Sequence, residues 1–338
     1  MAVRNGKSII FEKKIEIVSS AGCAGEMEEK GPLGTEFDRI FTGKELGKKT
    51  WEQKESELLR RTVSLAIEKS GMTAEDMDAI YSGDLLNQCT ASAFGLRGFG
   101  IPFSGVYGAC STMALTLINA ATAIESGGCM NAVACTCSHF CSAEKQFRMP
   151  LEYGGQRTPT AQWTVTGAGA AVLSSGTGKN NPVILAAHTG TICDLGIKDA
   201  TNMGAAMAPA AKKTICDFMK DTNTVPSDFD LILTGDLGAV GSTLLRELAQ
   251  KEDGIVLDGV HNDCGLMIFD MKNQDVHSGG SGCGCSASVL CSHIMKLLRR
   301  GKLKRVMFAA TGALLSAVSP LQGESVPGIS HAVIFEGQ

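Results

Sequence analysis

The sequence predicts an α/β protein built from two similar halves, with mostly parallel sheets. In residues 76–85 an acidic turn leads into a short apolar strand that ends in a glycine, an aspartate and a leucine, and residues 228–237 repeat this pattern. A glycine-rich helix start, a helix and a strand follow one another in residues 108–136 and again in residues 284–310. Repeated strand-helix-strand units in the same order predict a duplicated α/β fold.

In the first half, predicted to span residues 1–178, residues 55–70 carry a helical pattern before the first repeated strand. A long apolar helix starts at Cys110 and is predicted to end at the small and glycine residues 126–128. The next strand is predicted over residues 131–136, where small and β-branched residues follow one another.

The second half, predicted to span residues 179–338, repeats these elements. Residues 207–221 carry the helical pattern before the second copy of the acidic turn and strand. A helix starts at Cys285 and is predicted to end near residues 300–302, where a glycine lies between basic residues. The strand that follows is predicted over residues 305–310.

The composition is that of a globular protein. Of 338 residues, 44% are hydrophobic and 20% are charged, and 40 are glycines, which excludes disorder over most of the chain. The formal net charge is −4, so no overall basic field attracts nucleic acid or anionic lipid. Any membrane contact is therefore predicted to be local or to pass through a partner.

Thirteen cysteines and the lack of a signal peptide predict an intracellular protein with reduced thiols. Residues 1–14 contain no apolar stretch of the kind that a secretory signal requires. The uncharged run 98–124 is long enough to suggest a membrane span, but it contains Pro102, several glycines and many polar side chains. We interpret it as a buried loop and a central helix, and predict no transmembrane helix.

Duplicated halves can bring equivalent strand ends and helix starts together across one cleft, where ligands of α/β proteins collect. The residues predicted to surround this cleft are Asp84, Asn87, Cys110, Ser111, Thr112, Asp236, Ser281, Cys283 and Cys285.

Cys110 is the most specific of these candidates. It follows a glycine and an alanine and opens a long apolar helix, whose dipole and free N–H groups favour a thiolate or a bound anion. The functional interpretation is a nucleophile or an anion-binding turn. The alternative is one more small buried thiol among thirteen.

Residues 108–111, together with the glycine-rich strand 166–173, resemble the thiolase-like superfamily, and the resemblance covers nearly the whole chain. It implies a five-layered α/β/α/β/α fold in which the helices that begin near Cys110 and Cys285 pack back to back between two sheets. It also implies a homodimer, which we expect to pair through the strand at about 131–138.

The full sequence is most similar to one branch of this superfamily, found in spore-forming bacteria and implicated in moving dipicolinic acid into the developing spore. This resemblance implies that the cleft binds dipicolinic acid, alone or as its calcium chelate. It further implies membrane proteins of the same sporulation transport system as partners and a position peripheral to the spore inner membrane. We expect no cofactor and no resident metal.

The chain departs from the condensing enzymes of the superfamily, which pair the cysteine with a histidine and with an asparagine or a second histidine. Residues 233–237 match the histidine loop but contain no histidine, and residues 280–285 contain only glycine, serine and cysteine. Leu314 replaces a glycine of the oxyanion turn, and neither His277 nor His331 lies in a matching motif. We therefore expect a non-catalytic binding protein.

Two other functions stay open at this point: an acyl-transferring or condensing enzyme that uses Cys110, and a scaffold whose cleft is unused. A binding role also has to accommodate Asp84 and Asp236, which would repel dipicolinate if both were charged. Burial could keep one or both protonated, or a calcium ion could bridge them to the ligand.

The sequence gives weaker support for a metal site or a redox-active cysteine pair. Cys135, Cys137, His139 and Cys141 alternate along a predicted strand, where four ligands would span roughly 20 Å, so buried packing is favoured over a zinc site. Cys283 and Cys285 are separated by one residue, which disfavours a relaxed disulfide.

Two excursions from the repeat remain. Arg148 and Arg157 flank an insertion at 144–163 that is expected to cover the pocket, where they contact an anion or remain solvated loop residues. Residues 34–51 combine charges with Phe37 and other aromatic residues, as either a partner-docking site or a loop anchored on the core.

Overall fold

The computed structural model describes residues 2–148, 157–176 and 180–337. The strands of this part of the chain are β1 (Val3–Asn5), β2 (Ser8–Ala24), β3 (Arg39–Ile40), β4 (Ala79–Gly83), β5 (Phe103–Gly105), β6 (Asn131–Ser138), β7 (Trp163–Thr164), β8 (Gly167–Ser175), β9 (Val183–His188), β10 (Leu231–Thr234), β11 (His261–Asp263), β12 (Gly280–Ser281), β13 (Arg305–Ala313) and β14 (Gly328–Glu336). The α-helices are α1 (Glu26–Glu29), α2 (Trp51–Ser70), α3 (Thr90–Leu96), α4 (Thr112–Ser126), α5 (Phe140–Phe147), α6 (Met203–Thr222), α7 (Gly238–Asp253), α8 (Cys264–Met267), α9 (Cys283–Val289) and α10 (Met295–Arg299).

The strand order of the large sheet is symmetric about its centre. It runs β11-β10-β13-β14-β9-β2-β8-β6-β4-β5, so that each strand of one side has a counterpart at the same position on the other. Strand β4, which ends the first repeat, therefore corresponds to β10, which ends the second. The predicted boundary between the halves, after residue 178, lies outside the described residues.

The α/β fold class is confirmed, and the strand directions are mixed. The outer pairs β4·β5, β4·β6, β10·β11 and β10·β13 are parallel, as predicted. The central pairs, from β6·β8 through β2·β9 to β13·β14, are antiparallel. Strand β14 returns to β13 without a crossover helix, and a connection of that kind produces an antiparallel neighbour.

The helices and the two halves of one continuous sheet form the five layers around three large hydrophobic cores, and a small fourth cluster includes Cys110. The middle core joins α4 and α9 to both halves of the sheet, with fully buried side chains such as Leu117, Phe308 and Phe335. Helix α2 covers one outer face and α6 covers the other. Helix α4 is apolar on nearly all sides because it lies in the middle layer.

This position of α4 confirms the central helix of the uncharged run, but residues 98–107 before it are mostly exposed and include the edge strand β5, so the expectation of a buried loop is wrong. In the part of the chain that the structure describes, no helix combines the length and the apolar character needed to cross a bilayer.

Glycines let α9 lie directly on the sheet. A Cβ added at Gly284 would lie 2.4 Å from the carbonyl oxygen of Gly167 and 2.8 Å from the backbone nitrogen of Ser138. A Cβ at Gly169 would lie 2.3 Å from the carbonyl oxygen of Ala287. The glycine-rich segments around Gly169 on β8 and Gly284 on α9 therefore form the two sides of one close contact between a helix and the sheet.

The strand that we expected to extend the sheet across a dimer axis is an interior strand. β6 pairs with β4 on one side and with β8 on the other, so the expectation that residues 131–138 form the dimer contact is wrong. The edge strand of this half is β5, which pairs with β4 and leaves Phe103 exposed. Homodimerisation itself stays a prediction.

The alternating cysteine segment packs as a buried strand and a helix start. Cys135 and Cys137 are buried on β6, whereas Cys141 lies on α5, so the four side chains do not share one strand face. His139 is the N-cap of α5, and its Nδ1 accepts a hydrogen bond of 3.2 Å from the Cys141 N–H.

The excursion at residues 34–51 is anchored on the core. Phe37 packs into the middle core and Phe41 into the core beneath α2, where the guanidinium groups of Arg39 and Arg61 lie over its ring. Only Trp51, at the start of α2, is exposed among its aromatic residues. These contacts favour the loop interpretation over a docking site.

Candidate functional site

A cavity of about 560 Å³ opens between α5, the start of α6 and the end of β13, with Cys110 in its wall. It is lined by Leu85, Tyr107, Ala109, Cys110, Phe140, Ala143, Glu144, Phe147, Arg148, Arg157, Thr158, Ala161, Thr164, Ala200, Thr201, Met203, Ser281, Ala313 and Leu315. Of the nine residues predicted to surround the cleft, Cys110 and Ser281 belong to this lining.

A sharp turn before α4 presents Cys110 to the cavity. Ala109 has φ +49°, a left-handed conformation that is strained for a residue with a side chain. The hydroxyl of Ser111 donates to the carbonyl of Gly108 at 2.6 Å, and that of Thr112 donates to the carbonyl of Ala109, also at 2.6 Å. Ser111 and Thr112 are fully buried, so they shape the turn and do not reach the cavity.

The helix start is less open to an anion than the sequence predicts. The backbone N–H of Ser111 already donates to the carbonyl of Gly108 at 3.0 Å. The pKa of the Cys110 thiol is raised well above its ordinary value, first by burial and then by the neighbouring Asp236 carboxylate. Cys110 is therefore a neutral thiol at neutral pH, not the thiolate expected at a helix N-terminus.

Asp236 connects Cys110 to the start of α9. Its Oδ2 accepts hydrogen bonds from the Gly282 N–H at 2.9 Å and from the Ser281 hydroxyl at 3.3 Å. The Cys110 thiol donates to the same carboxylate. Burial, the largest cause, raises the pKa of Asp236 to about 7. This carboxyl is fully buried behind the cavity wall, and near neutral pH it exists in both protonation states.

Asp84 follows the equivalent strand but has a different role. One of its carboxylate oxygens accepts the Leu86 N–H at 2.9 Å, and the other accepts the Ser92 N–H at 2.7 Å. Burial raises its pKa. Asp84 is fully buried and absent from the cavity lining, because its oxygens fix the loop that leads into α3.

Asn87 and Cys283 also lie away from the main cavity. Asn87 is exposed and lines a smaller hollow of about 330 Å³ that shares Tyr107, Phe147 and Leu315 with the cavity. Cys283 is buried, donates from its Sγ to the Cys137 carbonyl at 2.9 Å, and packs against Cys110.

Cys285 packs into the middle core, on the other side of α9 from Cys283. The two thiols therefore contact different parts of the protein, which disfavours the redox pair further.

One face of α5 supplies cavity residues that the sequence analysis did not select. Phe140, Ala143, Glu144 and Phe147 lie at successive helical spacings of three and four residues, and all four line the cavity. This spacing places side chains on one face of a helix and was the signal available in the sequence. The helix itself was not predicted, because its first residues, up to Cys141, were assigned to a strand and residues 144–147 to an insertion.

Arg148 and Arg157 bring positive charge to the cavity. The Arg148 guanidinium lies 3.4 Å from the Glu144 carboxylate, and burial raises the pKa of Glu144 while both arginines oppose that rise. Two permanent cations thus face one carboxyl group among the lining residues. Of the two interpretations of these arginines, the cavity geometry favours the anion contact; residues 149–156 between them lie outside the described residues.

Removing the Asp236 carboxyl is expected to change how stability depends on pH. The folded-state pKa of this carboxyl is about 7, against an ordinary value of 3.8. Its contribution to the free energy of unfolding is therefore fully present below about pH 4 and is lost as the pH rises towards 7. Because each pKa unit corresponds to about 1.4 kcal/mol, Asp236→Asn should make the fall in unfolding free energy between pH 5 and 8 smaller by at least about 2 kcal/mol.

Urea unfolding at a series of pH values measures this fall. Asp194→Asn is the matched control, because Asp194 is exposed and its pKa is lowered, so this change should leave the fall in place. Equal pH profiles for Asp236→Asn and the unmodified chain would contradict the raised pKa.

The fold and the cysteine at the start of a buried helix define a thiolase-like protein. Xanthomonas campestris OleA, in a variant form, has a similar structure, with a TM-score of 0.63 at 15% identity over 96% of this chain and 99% of its own. For 3-oxoacyl-(acyl-carrier-protein) synthase III from Aquifex aeolicus the TM-score is 0.56 at 11% identity, over 95% and 99%. At these identities the likeness shows the fold alone.

Sequence comparison identifies the branch. Residues 5–336 match the family described as stage V sporulation protein AD. The stage V sporulation protein AD of Bacillus subtilis (strain 168) is 45% identical over 336 residues, which cover 99% of this chain and 98% of that protein. The chain belongs to the stage V sporulation protein AD family.

Proposed function

We propose that this chain is a dipicolinic acid-binding protein needed for dipicolinate uptake into the developing spore, and that the ligand occupies the cavity beside Cys110. The observation that carries the proposal is the pair of arginines, Arg148 and Arg157, in the wall of a cavity otherwise rich in aromatic and small side chains. Membership of a sporulation family agrees with this role.

The chemistry of the lining suits the ligand. Dipicolinate is a flat aromatic ring with two carboxylates, and arginine forms paired hydrogen bonds with carboxylates. Tyr107, Phe140 and Phe147 offer aromatic surface for the ring. A cavity of about 560 Å³ lies within the range of small-molecule sites.

Asp84 and Asp236 do not oppose this proposal. Asp84 uses both carboxylate oxygens on backbone N–H groups and does not line the cavity. Asp236 has a pKa of about 7, so it carries a full charge only above neutral pH. Of the two resolutions that the sequence left open, protonation by burial is the one that these surroundings support.

We also propose that the protein does not catalyse condensation. Burial and Asp236 keep the Cys110 thiol neutral, and none of the described cavity-lining residues is a histidine. The Nδ1 of His331 accepts the Gly190 N–H at 3.1 Å, and His277 lies 3.1 Å from Asp275. The second candidate is an acyl-transferring enzyme, favoured by the likeness to a 3-oxoacyl-(acyl-carrier-protein) synthase.

Calorimetric titration of the purified chain with dipicolinate, with and without calcium, tests the binding role. Saturable binding of one ligand per chain is the expected result, and benzene-1,3-dicarboxylate, which lacks the ring nitrogen, is the matched control ligand. No binding in either condition, together with acyl-thioester turnover that Cys110→Ala removes, would support the enzyme instead.

The proposed partners are a second copy of this chain and membrane proteins of the same sporulation transport system, which would hold the protein at the spore inner membrane. Light scattering on the purified chain measures the first of these associations.

A further inference from the structure

We propose that Arg157 is the residue that recognises a ligand carboxylate and that Trp163 is its positioning residue. This inference rests on the proposed function of the cavity and adds the group that selects a carboxylate over a neutral ligand.

Three side chains form a stack whose two ends, Arg157 and Phe140, line the cavity. The rings of Phe140 and Trp163 are stacked with centroids 3.9 Å apart and an angle of 10° between their planes. The guanidinium carbon of Arg157 lies 4.6 Å from the centre of the Trp163 ring. Arg157 and Phe140 line the cavity, and Trp163 links them. A cation over an indole face is held in place by the ring electrons.

A second set of contacts fixes the other side of the guanidinium. The Nη2 of Arg157 donates to the Asp275 carbonyl at 2.6 Å and lies 3.0 Å from the Asp275 carboxylate. The Asp275 side chain is 81% exposed, whereas that of Arg157 is 16% exposed. Because water screens the carboxylate, most of the Arg157 charge stays available to a ligand in the cavity.

A second guanidinium nitrogen, Nη1, has no partner among the described residues. Nη1 of Arg157 is buried and makes no hydrogen bond within residues 2–148, 157–176 and 180–337. A buried donor on a permanent cation is costly to leave unpaired. Because Nη1 has almost no surface open to the cavity, the Arg157 side chain has to turn for a ligand carboxylate to reach it, and the contact is then a charge-assisted hydrogen bond.

Arg148 is the less suitable of the two cations. Its guanidinium already lies 3.4 Å from the Glu144 carboxylate, four residues earlier in the chain. Glu144 lines the same cavity, so any ligand carboxylate at Arg148 competes with it. The selectivity for an anion is therefore assigned to Arg157.

The test is titration of the full-length chain and its variants with dipicolinate and with its uncharged diamide, pyridine-2,6-dicarboxamide. Arg157→Lys keeps the charge but loses the planar fork, and it should weaken dipicolinate binding at least about tenfold while changing diamide binding less than about twofold. Arg148→Lys should weaken dipicolinate binding less than Arg157→Lys does, and Arg246→Lys, outside the cavity, is the matched control that should leave binding unchanged.

Trp163 is tested by two substitutions. The Trp163 indole N–H has no partner among the described residues, so Trp163→Phe keeps a stacking ring without losing a hydrogen bond. We expect Trp163→Phe to retain most of the preference for dipicolinate over the diamide and Trp163→Leu to lose it. Thermal melting of each variant identifies any loss of folding.

The outcomes separate the two claims. Suppose that the unmodified chain binds dipicolinate. If folded Arg157→Lys then binds dipicolinate equally well, or loses affinity for dipicolinate and for the diamide by the same factor, the role of Arg157 is overturned and the proposed function stands. If the unmodified chain binds benzene-1,3-dicarboxylate but not dipicolinate, the proposed function fails, and the same variants then test Arg157 with that dicarboxylate.

Discussion

Cys110→Trp is expected to abolish dipicolinate binding, with a loss in affinity of at least about 100-fold, or about 2.7 kcal/mol. Cys110 lines the cavity and is only 5% exposed, so an indole at this position has nowhere to go except into the space that the ligand occupies. Cys110→Ala removes the thiol without filling the cavity, and its expected effect is less than about threefold. Calorimetric titration measures both.

The two Cys110 variants distinguish an effect of side-chain volume from an effect of the thiol group. If Cys110→Ala abolished binding as Cys110→Trp does, the thiol itself would be essential, and a covalent or catalytic role would return. Unchanged affinity in Cys110→Trp, in a chain that melts as a folded protein, would place the ligand outside this cavity.

The sequence predicted the position of Cys110 well because local signals determine it. A glycine and an alanine before a long apolar helix mark a helix start, and the repeat places that start at the end of a strand. The strained φ of +49° at Ala109 was not predicted, since sequence patterns favour glycine there.

The repeat also predicted that Asp84 and Asp236 follow equivalent strands, but it did not predict their partners. The first accepts two backbone N–H groups of its own loop, whereas the second contacts the α9 start and Cys110. The shared Gly-Asp-Leu ending thus gives the same backbone position and a different electrostatic role, because the neighbours come from elsewhere in the chain.

The wrong prediction that β6 forms the dimer contact has a similar cause. The small residues of β6 predicted burial on both faces, which is correct, but burial does not say whether a strand is central or at an edge. The order β8-β6-β4-β5 depends on long-range pairing, and only the structure showed that β5 is the edge. Arg157 was left undecided for the same reason, since its contacts to Trp163 and Asp275 come from other segments.

Gly284→Ala is expected to have the largest effect on stability, because the close contact between α9 and the sheet leaves no room for a methyl group. Its Cβ would lie 2.4 Å from the Gly167 carbonyl oxygen, 2.5 Å from the Ser138 hydroxyl and 2.8 Å from the Ser138 nitrogen. Two of these three atoms belong to the backbone of the sheet, so relief requires moving a helix of the middle layer. We expect a loss of at least about 3 kcal/mol in the free energy of unfolding.

Urea unfolding of Gly284→Ala measures this loss, and Gly98→Ala is its matched control. A Cβ at Gly98 would meet nothing within 4 Å, and this glycine lies in an exposed turn, so its replacement should change the unfolding free energy by less than about 0.5 kcal/mol. Because α9 begins beside Cys283 and Gly282, a displaced α9 should also weaken ligand binding in any Gly284→Ala protein that remains folded. Equal unfolding midpoints for Gly284→Ala and Gly98→Ala would mean that α9 does not rest on β6 and β8 as described.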